Sequence, residues 1–195
     1  MNEIRLRGII KNIRYSHICN EIEFYKADLI VGRENSNKED IITLKFKKFS
    51  NTFKDGDEVS LIGNIRTYSQ KLEDRNVVEV YVFTYFDEPE TKVNNLVEID
   101  GRICKINNSK KTKQGKDVID FTLANNLVTE NGTLNCYIPI CAWGKIAKEI
   151  QKMPIGSEIK IKGALQSREY RKMTSETDFD LRIAHEVMIE SYEVT

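Results

Sequence analysis

Histidine, proline and tryptophan are scarce in this chain, with 2 His, 3 Pro and 1 Trp among 195 residues. Only His17 and His185 are available as imidazoles, and there is no Gly-x-Ser-x-Gly, phosphate-loop or zinc-ligand spacing. The common hydrolytic and metal-assisted chemistries therefore lack their residues, and no catalytic residue, metal or cofactor is expected. The four cysteines, Cys19, Cys104, Cys136 and Cys141, form no Cys-x-x-Cys pair. Cys136 and Cys141 lie an odd number of positions apart on an expected strand, so they face opposite ways and cannot share an ion; buried, reduced thiols are expected. An excess of one charge is missing too, since 30 Lys plus Arg are matched by 30 Asp plus Glu. That excludes a protein that coats polyanions by bulk attraction, but not one with a local patch. No apolar run approaches the roughly 18 residues of a membrane span, and the N-terminal residues lack the apolar core of a signal peptide. A cytoplasmic location without a membrane partner is the expectation.

What the chain does have is a repeat. Gly56-Asp-Glu-Val-Ser-Leu-Ile-Gly63-Asn-Ile65 aligns with Gly156-Ser-Glu-Ile-Lys-Ile-Lys-Gly163-Ala-Leu165, with aliphatics exchanged at alternate positions. Ile4, Leu6, Gly8, Ile10 and Ile13 likewise fall on Val97, Ile99, Gly101, Ile103 and Ile106. Period-two alternation marks strands with one buried face. Pro89 and the polar residues after it supply a linker, giving one unit over 1–90 and another over 94–195. The second unit reads as strands over 96–106, 118–125, 135–143, 158–170 and 180–192, with a helix over 145–152 after the third. Ile146 and Ile150 are four apart on that helix and can plug a barrel end. Five strands with a helix between the third and fourth describe an all-β fold, mainly strand with one short helix per repeat. It is two tandem five-stranded oligonucleotide/oligosaccharide-binding (OB-fold) barrels.

On the third strand of the second unit, Ile138, Ile140 and Ala142 share one face and leave Tyr137, Pro139, Cys141 and Trp143 on the other. On the fourth, Ile159, Ile161, Gly163 and Leu165 point inward, leaving Lys160, Lys162, Gln166, Arg168 and Tyr170 outside. From Arg102 to Lys116 run six basic residues and no acid: Arg102, Lys105, Lys110, Lys111, Lys113 and Lys116. Arg171 and Lys172 follow the fourth strand. Flat rings among cations suit an unpaired nucleic-acid strand, whose bases stack and whose phosphates need charge. The first unit offers fewer rings, with Lys45 and Lys47 on its third strand and Tyr68 on its fourth. It is expected to bind more weakly, contributing phosphate contacts.

The segments Tyr137-Ile-Pro-Ile-Cys-Ala-Trp143-Gly-Lys-Ile-Ala-Lys and Ile155-Gly-Ser-Glu-Ile-Lys-Ile-Lys-Gly163-Ala-Leu-Gln-Ser-Arg168-Glu-Tyr170 resemble the bacterial single-stranded DNA-binding protein family. Val97 to Ile103 and Asp120-Phe-Thr-Leu-Ala-Asn125 resemble its first two strands, so the resemblance covers about residues 95–192. It implies stacking of bases on Tyr137, Trp143 and Tyr170, with single-stranded DNA, or RNA, as partner in replication, recombination or repair. It also implies a nucleoid-associated location and a homodimer that brings four barrels together. The sequence ends at Glu193-Val-Thr195, so no acidic C-terminal recruitment tail is expected.

A different reading keeps the barrels and replaces the ligand: an accessory factor of the replication-restart or mobile-element type that binds a protein. Salt separates the two, because counterion release makes nucleic-acid affinity fall steeply with ionic strength.

Overall fold

Alternating apolar residues make strands of nearly the whole chain, and glycines mark where those strands cross. The computed structural model describes residues 1–34, 36–48, 53–72, 75–87, 93–173 and 179–195; the side chains of 70–72, 75–77, 85–87, 171, 172 and 180 lie outside the described set. The first unit holds β1 (Asn2–Cys19), β2 (Ile22–Gly32), β3 (Glu39–Lys47), β4 (Glu58–Leu72) and β5 (Arg75–Asp87). The second holds β6 (Asn95–Ile106), β7 (Lys110–Lys111), β8 (Asp117–Thr129), β9 (Gly132–Trp143), α1 (Gly144–Ile150), β10 (Glu158–Met173) and β11 (Phe179–Val194).

Each unit closes on itself in the same way. β1 pairs with both β2 and β4, while β3 meets β5 in parallel, giving the cyclic order β1-β2-β3-β5-β4. β6, β8, β9, β11 and β10 repeat that circuit, with β9 and β11 as the parallel pair. The fold is thus two OB barrels built mainly of strand. Their interiors are filled by the alternate aliphatics, among them Ile4, Leu6 and Ile10 of β1 and Val97, Ile99 and Ile103 of β6. Each such side chain contributes about 1.5–3 kcal/mol when fully buried.

The paired glycines have a steric reason. A Cβ on Gly63 would lie 2.4 Å from the carbonyl oxygen of Phe83, and one on Gly163 would lie 2.1 Å from that of Met188. Both sit beside a bulge, where β4 crosses β5 and β10 crosses β11.

Between the barrels the sheet is continuous. β1 runs antiparallel to β6, pairing Ile4 with Val97, and Asn125 ties the joint by accepting from Asn2 Nδ2 at 2.9 Å and donating to the Met1 carbonyl at 3.0 Å, while matching clasps brace each barrel beside it. The Asn2 side chain bonds the Ile65 backbone at both N and O, and Asn95 does the same to Leu165. At one flank Asp40, 1% exposed, accepts from Arg33 Nε and Nη2 at 2.9 and 2.7 Å, from Ser167 N–H at 2.6 Å and from Ser167 Oγ at 3.2 Å. Ser167 Oγ also accepts from Ile41 N–H at 2.9 Å, and His185 Nε2 lies 2.7 Å from the Ile41 carbonyl, to which it donates. Burial lowers the His185 pKa, so the ring is neutral and structural. At the other flank Tyr137 N–H donates to Thr67 Oγ1 at 3.0 Å.

Two expectations need correction, and a third falls partly outside the described residues. α1 is the one helix among the described residues; the expected helix of the first unit falls in the connection 48–57, which is irregular or turn where described and whose residues 49–52 lie outside the described set. There Phe53 packs against the core, as Ile146, Ala147 and Ile150 do in the second barrel. The basic stretch after β6 is not all loop, since Lys110 and Lys111 form β7 against β8. Cys136 and Cys141 are buried on opposite faces as expected, but Cys19 ends a projecting hairpin and Cys104 sits at a bulge, and both are exposed.

Candidate nucleic-acid interface

β9 presents Tyr137, Pro139, Cys141 and Trp143 on its outer face. Tyr137 is 54% exposed and Trp143 42%, whereas Cys141 is buried at 3%. Six residues of strand put the two rings about 20 Å apart. The register extends this row sideways, because Trp143 faces Val118 on β8 and Val118 faces Lys110 on β7. Directly paired residues share a face, so Lys110 stands two strands, about 10 Å, from Trp143. Lys110 reaches toward Asp120 at 4.0 Å, while Lys105, Lys111, Lys113 and Lys116 are exposed along the same rim. On the other side of Trp143 a surface recess contains Arg168, Gln166, Glu186 and Met188 together with Lys38 and Ile41 of the first barrel. Tyr170 stands two residues beyond Arg168, opposite Arg182 on β11. The structure therefore brings Trp143, Lys110 and Arg168 onto one surface.

Other expected residues go elsewhere. Lys160 and Lys162 pair with Asp100 and Glu98 of β6, and Lys160 lines a separate recess with Arg102 and Glu158. Arg102 is bound to Glu158 at 2.7 Å. β10 pairs with β11 along its whole length but with β6 only over Glu158–Gly163, so Lys160 and Lys162 lie on the wall shared with β6 while Arg168 and Tyr170 lie on the arm paired with β11 alone. The side chains of Arg171 and Lys172 lie outside the described residues. Around Cys141 the face is acidic: burial, with Glu186 and Asp120 nearby, pushes its thiol up to about 12. Burial also raises the Glu186 carboxyl, against the pull of Arg168 at 3.9 Å.

The first barrel's face is richer in rings than its sequence suggests. Lys45 and Lys47 are outward, as expected, but Lys45 lies 3.7 Å over the Tyr81 ring and 3.3 Å from Glu79, so it is not a free cation. Burial lowers its pKa, with Glu79 opposing. Lys47 reaches Glu130 of the second barrel at 3.5 Å. Phe24, Tyr81 and Phe83 join this face from β2 and β5. Phe24 stacks on His17 at 4.8 Å, and Arg66 caps Phe83 at 3.9 Å. Tyr68, 55% exposed, faces Glu79 across β4 and β5. Sequence reasoning missed these rings: alternation within β2 and β5 is regular, with Ala27, Leu29, Val31, Val80 and Val82 buried and Phe24, Tyr81 and Phe83 in the opposite phase, but only the pairing of β2 and β5 with β3 brings those rings beside Lys45 and Lys47.

Two closed five-stranded barrels with rings and cations on their outer strands define an OB-fold protein of the oligonucleotide-binding type. The sequence model of the Single-strand binding protein family matches residues 94–192, and the chain belongs to that family. Two crystal structures of the single-stranded DNA binding protein from Thermus aquaticus are similar to it. One is a deletion mutant, with TM-score 0.73, 16% identity and coverage of 100% of this chain and 94% of that one. The other is the wild type, with TM-score 0.71, 16% identity and coverage of 100% and 93%. At that identity the likeness is one of fold, and it takes in the first barrel as well as the second. No curated protein matches the chain. Among the described residues no helix is long and apolar enough to cross a membrane.

Proposed function

We propose that this chain, as barrel units over 1–90 and 94–195, binds single-stranded DNA with little sequence preference, by stacking bases on exposed rings and holding phosphates with Lys and Arg. The observation that carries this is the exposed Trp143, flanked on one side by the lysine-bearing rim from Lys105 to Lys116 and on the other by Arg168. Stacking accepts any base because every base has a π-face, and phosphates carry no sequence information. The strand would run along β9 from Trp143 to Tyr137 and reach Tyr68, since Thr67 holds the backbone of Tyr137. Tyr170 extends the surface along the β10–β11 arm. Two chains pairing to bring four barrels together is part of the same proposal, and sedimentation tests it by giving the mass of a dimer or of a monomer.

Titration with oligo-dT while following Trp143 fluorescence tests the binding. Quenching, affinity that falls log-linearly with salt, and much weaker binding of duplex are expected. Trp143→Ala should cost about 1 kcal/mol of binding. Equal affinity for duplex and single strand would overturn the stacking mode, and salt-independent binding would favour a protein partner.

A further inference from the structure

The repeat allows the two outer faces to be compared position by position. A Cβ on Gly8 would strike the Ile30 carbonyl and one on Gly101 the Ala124 carbonyl, so Ile30 corresponds to Ala124, as Phe83 does to Met188 through Gly63 and Gly163. Ile30 pairs with Ile41 and Ala124 with Tyr137, which fixes β3 against β9. Lys45 then corresponds to Cys141, Lys47 to Trp143, Lys26 to Asp120, Phe24 to Val118, Tyr81 to Glu186, Glu79 to Ala184 and Tyr68 to Arg168.

The comparison bears directly on the expected ranking of the barrels. Where the second barrel has Asp120, Cys141 and Glu186 at the middle of its face, the first has Lys26, Lys45 and Tyr81. A strand crossing the second face meets two carboxylates and a buried thiol between Trp143 and Arg168. A strand crossing the first meets cations over rings, with Glu79 at the middle of the face and Glu130 of the second barrel at its edge beside Lys47. The Glu79 carboxylate lies 3.4 Å from Lys26 Nζ and 3.3 Å from Lys45 Nζ, each through a different oxygen, as a phosphate would sit. Burial pushes the Glu79 carboxyl up, but Lys45 and Lys26 outweigh it and hold it below the ordinary carboxylate value, so it is ionised at neutral pH.

We infer that the first barrel carries the stronger single-strand-binding face, with Glu79 as an internal counter-ion held between Lys26 and Lys45 that a DNA phosphate must displace. The inference rests on the proposed single-strand binding and names the dominant face within it. Its physical basis is charge at close range: a fixed carboxylate between two ammonium groups repels an arriving phosphate and competes for the same donors. Removing the carboxylate's charge leaves both lysines for the strand.

The test uses the full chain and labelled oligo-dT at low and moderate salt, comparing wild type with Glu79→Gln, Glu79→Gln/Lys45→Ala, Lys47→Ala/Tyr68→Ala and Trp143→Ala, each checked for fold by circular dichroism. Glu79→Gln should bind about tenfold more tightly at low salt and steepen the salt slope by roughly 0.7 for each additional phosphate neutralised. Adding Lys45→Ala should abolish most of that gain, a loss that mere loosening of the barrel would not produce. Lys47→Ala/Tyr68→Ala should cost at least tenfold more affinity than Trp143→Ala. If the wild type binds but Glu79→Gln changes nothing and Trp143→Ala is the more damaging variant, the inference is overturned while single-strand binding stands. If no variant, nor the wild type, binds oligo-dT, the functional reading fails and the inference falls with it.

Discussion

Asp40 gives the sharpest prediction about how the two barrels stay in register. Its carboxylate is 1% exposed and accepts four hydrogen bonds, two from Arg33 and two from Ser167 of the other barrel. Asp40→Ala removes the acceptor and keeps the donors. A guanidinium whose side chain is 25% exposed then loses its bidentate partner, and the Ser167 amide loses its acceptor. Breaking a buried pair from one side costs about 3–5 kcal/mol, and partial solvation of Arg33 places this one near 3 kcal/mol. With a urea m-value of roughly 3 kcal/mol per M for a chain of this size, the midpoint should fall by about 1 M. Asp40→Asn keeps the shape and one acceptor, so its fall should be about half as large. The two partners can be separated by a double-mutant cycle with Ser167→Ala, where a coupling of about 1 kcal/mol or more is expected because the residues touch. The same variant should lose affinity for oligonucleotides long enough to span both barrels and leave short ones bound as before, since only long strands require a fixed angle between the faces. A urea midpoint within 0.2 M of wild type (a difference of about 0.6 kcal/mol), or strict additivity with Ser167→Ala, would refute the reasoning that this junction is held by Asp40.

Gly163→Ala should destabilise by about 1–3 kcal/mol, because its Cβ would stand 2.1 Å from the Met188 carbonyl in a strand that cannot withdraw; thermal unfolding measures it, and a neutral substitution would show that β10 and β11 can part there. Thiol labelling of the native chain should modify Cys19 and Cys104 quickly and leave Cys136 and Cys141 protected until unfolding, with Cys141 the slower to ionise because its thiol is pushed up to about 12. Glu79 has a depressed folded pKa, so its ion pairs stabilise in full above the unfolded carboxylate's value of about 4.3 and fade as pH falls through the lower folded value. Glu79→Gln should therefore be less stable than wild type at neutral pH and approach it in acid, and a constant difference across that range would contradict the assignment.

The duplicated unit, its strand order in the second copy and the exposed ring at Trp143 were legible in the sequence, because each depends on local alternation and on glycines recurring at matched positions. Ile138, Ile140 and Ala142 turned inward as their period required, and Trp143 outward with them as reference. What local pattern could not supply were relations between segments far apart in the chain. The pairing of β1 with β6, the Asp40 junction and the capture of Lys26 and Lys45 by Glu79 join residues from strands that meet only when the barrels close. Phe24, Tyr81 and Phe83 keep the regular phase of β2 and β5, but their gathering beside Lys45, with Phe83 only 9% exposed beneath Arg66, depends on strand pairings that local pattern does not specify. Lys160 and Lys162 left the ring surface for a related reason, since only the first part of β10 pairs with β6 as well as with β11. Local alternation settled which residues could bury and which could stack, and closure of the barrels settled which charges ended beside which rings.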